Sequence, residues 1–127
     1  MFVGMRFIIM VHHDEAKVAQ LPAEEIQRVQ RAHGAYSAEL RATGTYVSGE
    51  RLRPGPEASR YRQAQGKRWL IDGPHPETRE VVGGYYVIEC NSESEARAWA
   101  DKCPMWDCDV LELRPVWSMA SDRGCDR

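Results

Sequence analysis

The 127-residue chain has no Cys-x-x-Cys pair, no basic stripe and no apolar run near the ~20 residues that cross a bilayer. Each absence removes a class of function. With a net charge of −2 and no basic stripe, the chain lacks the footprint of nucleic-acid binding; Arg60, Arg62, Lys67 and Arg68 make only a local basic edge on a hairpin. The apolar opening Met1 to Val11 has no basic leader and no small-residue cleavage site, and Arg6 interrupts it, so it reads as a strand and not as an export signal. A cytoplasmic protein that binds neither nucleic acid nor membrane is the expectation. The four cysteines are Cys90, Cys103, Cys108 and Cys125. Cys103 and Cys108 flank Pro104-Met105-Trp106-Asp107, looser than zinc-knuckle spacing, so reduced thiols and no metal are expected. The phosphate-loop, dinucleotide, His-Glu-x-x-His and Gly-x-Ser-x-Gly patterns are missing too, and no cofactor is expected.

What is present reads as one domain over residues 1–117 with a flexible polar tail over 118–127. A first strand runs from Met5 to about His13, with Met5, Phe7, Ile9 and Val11 on one face and Ile8 and Met10 on the other; both faces want cover. A helix follows from Pro22, with Glu24 and Glu25 in its first turn, to Gly44. Ile26, Val29, His33, Tyr36 and Leu40 form one stripe along it. Then come a short strand over residues 45–50, a Pro-Gly-Pro loop, and a hairpin, Arg60–Gln63 against Lys67–Ile71. A strand from Tyr85 to Cys90, a helix capped at Ser92 and stopped by Pro104, and a last strand Val110–Arg114 complete the order.

One stretch is more specific than any of these. Asp72-Gly73-Pro74-His75-Pro76-Glu77-Thr78-Arg79-Glu80-Val81-Val82-Gly83-Gly84 joins a restricted Asp-Gly-Pro turn to the Tyr85 strand. It resembles the DGPF branch of the YCII-related family, small bacterial proteins whose signature reads roughly DGPFAETKE before a Gly-Gly-aromatic strand. The resemblance covers about Met5 to Val116; His75 stands where the family usually has Phe, and Pro76 where it has Ala. The segment Arg31-Ala32-His33-Gly34-Ala35-Tyr36 resembles the family's His-containing first helix, and the resemblance implies a His–Asp active-site dyad with His33 as its histidine. It also implies relatives that are dimeric α/β barrels, among them a dehydrochlorinase of chlorinated hydroxyhydroquinones and, more distantly, muconolactone isomerases. The DGPF-type proteins themselves resemble a group often found beside alternative sigma factors, which implies a regulatory or accessory role.

The candidate catalytic residues are His33, Asp72 and Glu50. His33 is either a neutral core histidine or a base between helix and sheet, kept neutral by burial. Asp72 either forms its own turn or orients a histidine. Glu50, after Gly49, is an acid or a surface carboxylate. The candidate ligand-binding residues are His12, Tyr36 and His75. Adjacent strand residues point to opposite faces, so His12 and His13 cannot both serve one site. The order β-α-β-hairpin-β-α-β is that of an α+β ferredoxin-like sandwich with an inserted hairpin. Two helices cover one sheet face, and a second copy is expected on the other, as a homodimer. Two functional readings follow: an enzyme moving protons on a small molecule, or a ligand-sensing regulatory protein.

Overall fold

The computed structural model of the chain describes residues 4–72 and 80–118, apart from the side chain of Asp72. The elements are β1 (Met5–Asp14), α1 (Glu15–Val18), α2 (Ala23–Ala42), β2 (Tyr46–Arg51), β3 (Ser59–Ala64), β4 (Lys67–Asp72), β5 (Glu80–Cys90), α3 (Glu93–Lys102) and β6 (Val110–Pro115). Four strands form an antiparallel sheet in the order β2-β5-β1-β6, and β3 pairs with β4 in a separate hairpin. This is a mixed α+β arrangement consistent with a ferredoxin-like fold; the described strands do not close into a barrel. Among the described residues no helix is long and apolar enough to cross a membrane.

Local chemistry accounts for the element boundaries. Pro22 precedes α2 in an extended conformation, and the helix carries Glu24 and Glu25 at its N-terminus and Arg41 at its C-terminus, each favourable to the helix dipole. Gly44, at φ +74, ends it: its N–H donates to Arg41 O at 3.1 Å and that of Thr45 to Leu40 O at 2.9 Å. This paired closure needs a left-handed residue, which glycine supplies without strain. Ser92 Oγ accepts from Glu95 N at 3.1 Å to start α3, and Pro104 holds Cys103 extended to stop it. The hairpin turns through Gln65 and Gly66, both at positive φ, as a two-residue connection requires.

The helix-covered face of the sheet holds the core, where Phe7, Ile9, Val11, Ile88 and Cys90 meet Tyr36, Leu40, Ala96 and Cys103. Burial pushes the thiol of Cys90 up to about 11 and that of Cys103 up to about 12, and both are free. On the other face Ile8 and Met10 pair with Val87 and Tyr85 and stay half-buried, beside Val110, which is 46% exposed.

Two features differ from the sequence expectation. A short helix, α1, follows β1 directly, because the Asp14 carboxylate accepts from Lys17 N at 3.3 Å. Strand β5 begins at Glu80, well before Tyr85, and the Gly83-Gly84 pair lies inside it. Register explains this: Val11 pairs with Gly84 but His12 with Val82, so Gly83 is an extra, bulged residue that lets the ladder continue. The turn over residues 73–79, the tail beyond Ser118 and Cys125 lie outside the described residues.

Candidate functional site

Along its helix-covered face the sheet changes character toward the end of β1. Gly49 and Gly84, paired with Tyr86 and Val11, leave the strands as bare main chain there. Neither position has room for more. A Cβ on Gly49 would sit 2.9 Å from Tyr85 O, and one on Gly84 would sit 3.1 Å from Glu50 O. Between this floor and α2 lies a cleft of about 430 Å³, with His13, His33, Arg41, Arg51, Tyr86 and Trp106 among its walls.

His13 enters the cleft because it continues the alternation of Phe7, Ile9 and Val11. Its Nδ1–H donates to Asp109 Oδ1 at 2.8 Å, and only 1% of the Asp109 side chain is exposed. The other carboxylate oxygen, Oδ2, accepts from Trp106 N at 2.8 Å, so both oxygens of this buried group are engaged. Trp106 in turn donates its indole Nε1–H to Glu25 O at 3.1 Å, tying the loop before β6 to the start of α2. Its ring stands 5.2 Å from that of His13. On the opposite side the bulge at Gly83 makes space for the imidazole: a Cβ there would lie 1.9 Å from His13 Cδ2 and 2.1 Å from Nε2. The ring is thus held by a carboxylate, an indole and a strand backbone.

His33 faces His13 from α2. Its Nδ1 lies 2.9 Å from the Tyr86 hydroxyl, with the two rings near-parallel at 5.9 Å. Burial lowers the pKa of His33; the neighbouring His13 and Arg51 lower it further, against an opposing pull from Asp109. Burial pushes the Tyr86 phenol up to about 12. At neutral pH the pair is therefore a neutral imidazole and a protonated phenol, and the phenol is the natural donor to Nδ1.

The other residues named from sequence fall elsewhere. Tyr36 is buried in the core, donating its hydroxyl to Trp99 O at 2.7 Å. His12, one residue from His13, lies on the far face of the sheet with its Nε2 3.0 Å from Glu112 Oε1. Glu50 pairs with Tyr85, which puts it on that far face by register and leaves its main chain at the cleft. Asp72 ends β4, and its side chain, like the whole of His75, is outside the described residues. Of the six, only His33 brings a side chain that the structure shows directed into the cleft. His13, Asp109, Trp106, Arg41 and Arg51 are the residues sequence reasoning missed. For His13 the signal was present, in the parity of β1; Asp109 reaches it across 96 positions of sequence and carried none.

Comparison with known proteins adds the ancestry. The YCII-related domain matches residues 5–120. An uncharacterized protein of Rhizobium meliloti (strain 1021) is 31% identical over 96 residues, 76% of this chain and 77% of that protein. With a match that spans most of its length, the chain belongs to the YCII-related family.

Proposed function

We propose that the cleft binds one small organic molecule and relocates a proton on it, in lyase- or isomerase-like chemistry. The observation that carries this reading is the His13–Asp109 pair, a histidine aimed into a cleft by a buried, doubly hydrogen-bonded carboxylate. A carboxylate that takes Nδ1–H fixes the tautomer and leaves Nε2 as a lone-pair base, stabilising the imidazolium that forms when it takes a proton. Across the cleft the Tyr86 hydroxyl occupies Nδ1 of His33, which leaves the His33 proton on Nε2 as a donor. One imidazole is set to accept and the other to give. The resemblance named the dyad's histidine as His33; the geometry favours His13 for that part and keeps His33 as its counterpart. The dehydrochlorinase and muconolactone isomerases among the dimeric-barrel relatives that the resemblance implies support, by analogy, proton transfer of this kind.

The same reading includes a homodimer in the cytoplasm. Ile8, Met10, Tyr85 and Val87 make an apolar strip on the far face, and a second copy packed sheet on sheet would cover it and complete a two-chain barrel.

The test is a thermal-shift panel of catechols, hydroxyquinols and lactones on wild type, Asp109→Asn and His33→Gln, each checked for native circular dichroism. Stabilisation of wild type that both variants lose is the expected result, together with deuterium exchange into the bound compound. A panel without any shift would end the small-molecule reading. Binding without exchange would move the protein to the ligand-sensing class, where a sigma-factor-linked partner becomes the next object of search.

A further inference from the structure

The cleft carries more positive charge than its histidines require. Arg51 is the last residue of β2 and pairs with Gly84, so by register it belongs to the cleft face of the sheet, beside the bulge at Gly83. Its charge is felt at His33. Arg41 reaches the same cleft from α2, where its guanidinium stands 4.0 Å above the Tyr46 ring. Among the described residues neither guanidinium is in an ion pair, although Arg6, Arg28, Arg53, Arg97 and Arg114 all are. The acids nearby are not free to serve them. Asp109 is committed to His13 and Trp106, and Glu50 stands on the far face.

We infer that the cleft selects small organic anions, with the carboxylate of the ligand held by Arg51 and Arg41 and its uncharged body lying on the glycine floor toward the two histidines. This rests on the small-molecule reading and narrows it to a substrate class. Guanidinium recognises a carboxylate with paired parallel N–H donors, and an arginine stacked on an aromatic ring is pre-ordered for that contact. The aromatic rings of Tyr46, Tyr86 and Trp106 and the flat main chain of Gly49 and Gly84 suit a planar body. A carboxylate fixed beside Arg51 also places cationic charge where negative charge grows as His13 withdraws a proton, so the same side chain that selects the ligand would stabilise the carbanion- or enolate-like state. Arg51 would then act in both binding and turnover, and Arg41, stacked over Tyr46, in binding.

The experiment is isothermal titration of the full chain with 4-hydroxybenzoate and 4-hydroxybenzamide, which differ in charge and little in shape, at low and moderate salt. It is repeated with Arg51→Gln, Arg41→Gln and, as a surface control, Arg97→Gln. The acid is expected to bind roughly tenfold or more tighter than the amide, as one charge-assisted pair supplies, and to weaken with salt. Arg51→Gln should remove most of that preference, Arg41→Gln part of it, and Arg97→Gln none. Equal binding of acid and amide, or an acid affinity indifferent to both cleft arginines, overturns the inference. So does failure of the acid to bind while the neutral catechols and lactones do, in which case the proton-transfer reading stands and only its anionic substrate is lost. Failure of every compound in both panels removes the two together.

Discussion

Replacing Gly83 by alanine is the smallest perturbation that addresses the central arrangement. The added methyl would lie 1.9 Å from one ring atom of His13 and 2.1 Å from another, which no rotation within a rotamer well relieves. Either the imidazole swings away or the β1–β5 ladder parts at the bulge. Swinging the ring away breaks the 2.8 Å bond to Asp109 and leaves one oxygen of a buried carboxylate without its donor. Hydrogen bonds to charged groups contribute about 1.5–3 kcal/mol, and overpacking a filled site costs about 1–3 kcal/mol, so the expected loss is about 2 kcal/mol. Urea denaturation followed by far-ultraviolet circular dichroism would show it as a lower midpoint at unchanged slope. The decisive arm is a double-mutant cycle. In a His13→Ala background there is no ring to displace, and the same glycine substitution should then cost about 0.5 kcal/mol or less. Equal losses in the two backgrounds would refute the reasoning, because they would show that the methyl offends the strand and not the histidine.

Two further outcomes follow from other residues. Burial holds the pKa of His33 below its ordinary value of 6.5, so the unfolded chain takes up this proton at a pH where the folded one does not. Above pH 6.5 the residue contributes nothing to the pH dependence of stability; below it, acid pulls toward the unfolded state until the folded pKa is passed. Melting temperatures from pH 8 to 5 should therefore fall more steeply for wild type than for His33→Gln, and parallel curves would show that His33 is not the group responsible. On the far face, Met10→Lys puts a charge in the centre of the apolar strip. Sedimentation velocity should find wild type as a dimer and this variant as a folded monomer; a wild type that sediments as a monomer at all concentrations sinks the homodimer.

The readability of this chain tracks the range of the interactions involved. Caps, stops and alternation are local, and they place β1, α2 and α3 within a residue or two from sequence. His33 belongs to the same category, since its stripe with Ile26, Val29, Tyr36 and Leu40 turns it toward the sheet. That stripe could not tell core from cleft: Tyr36, three residues on, is buried against Trp99, while His33 meets open space. What separates them is the missing side chains of Gly49 and Gly84 on other strands, a long-range fact. Asp109 is harder still. It becomes a histidine partner because Trp106, three residues before it, ties this loop to a helix carbonyl 81 positions away, and no periodicity encodes that. Asp72 drew attention through its turn motif, which signals backbone geometry and says nothing about a partner.

The glycine floor has a thermodynamic consequence for recognition. A wall made of side chains pays conformational entropy when a ligand freezes its rotamers; a wall made of hydrogen-bonded strand backbone has no rotamers to freeze. The floor at Gly49 and Gly84 is therefore stiff, while Gln30, Gly34 and Ser37 on α2 opposite it are the adjustable surface. A Cβ added at Gly34 meets nothing within 4 Å and would replace a poor helix former by the best one. The roof can thus be rebuilt at positions other than His33 to change which molecules fit, while the base on the sheet opposite keeps its place.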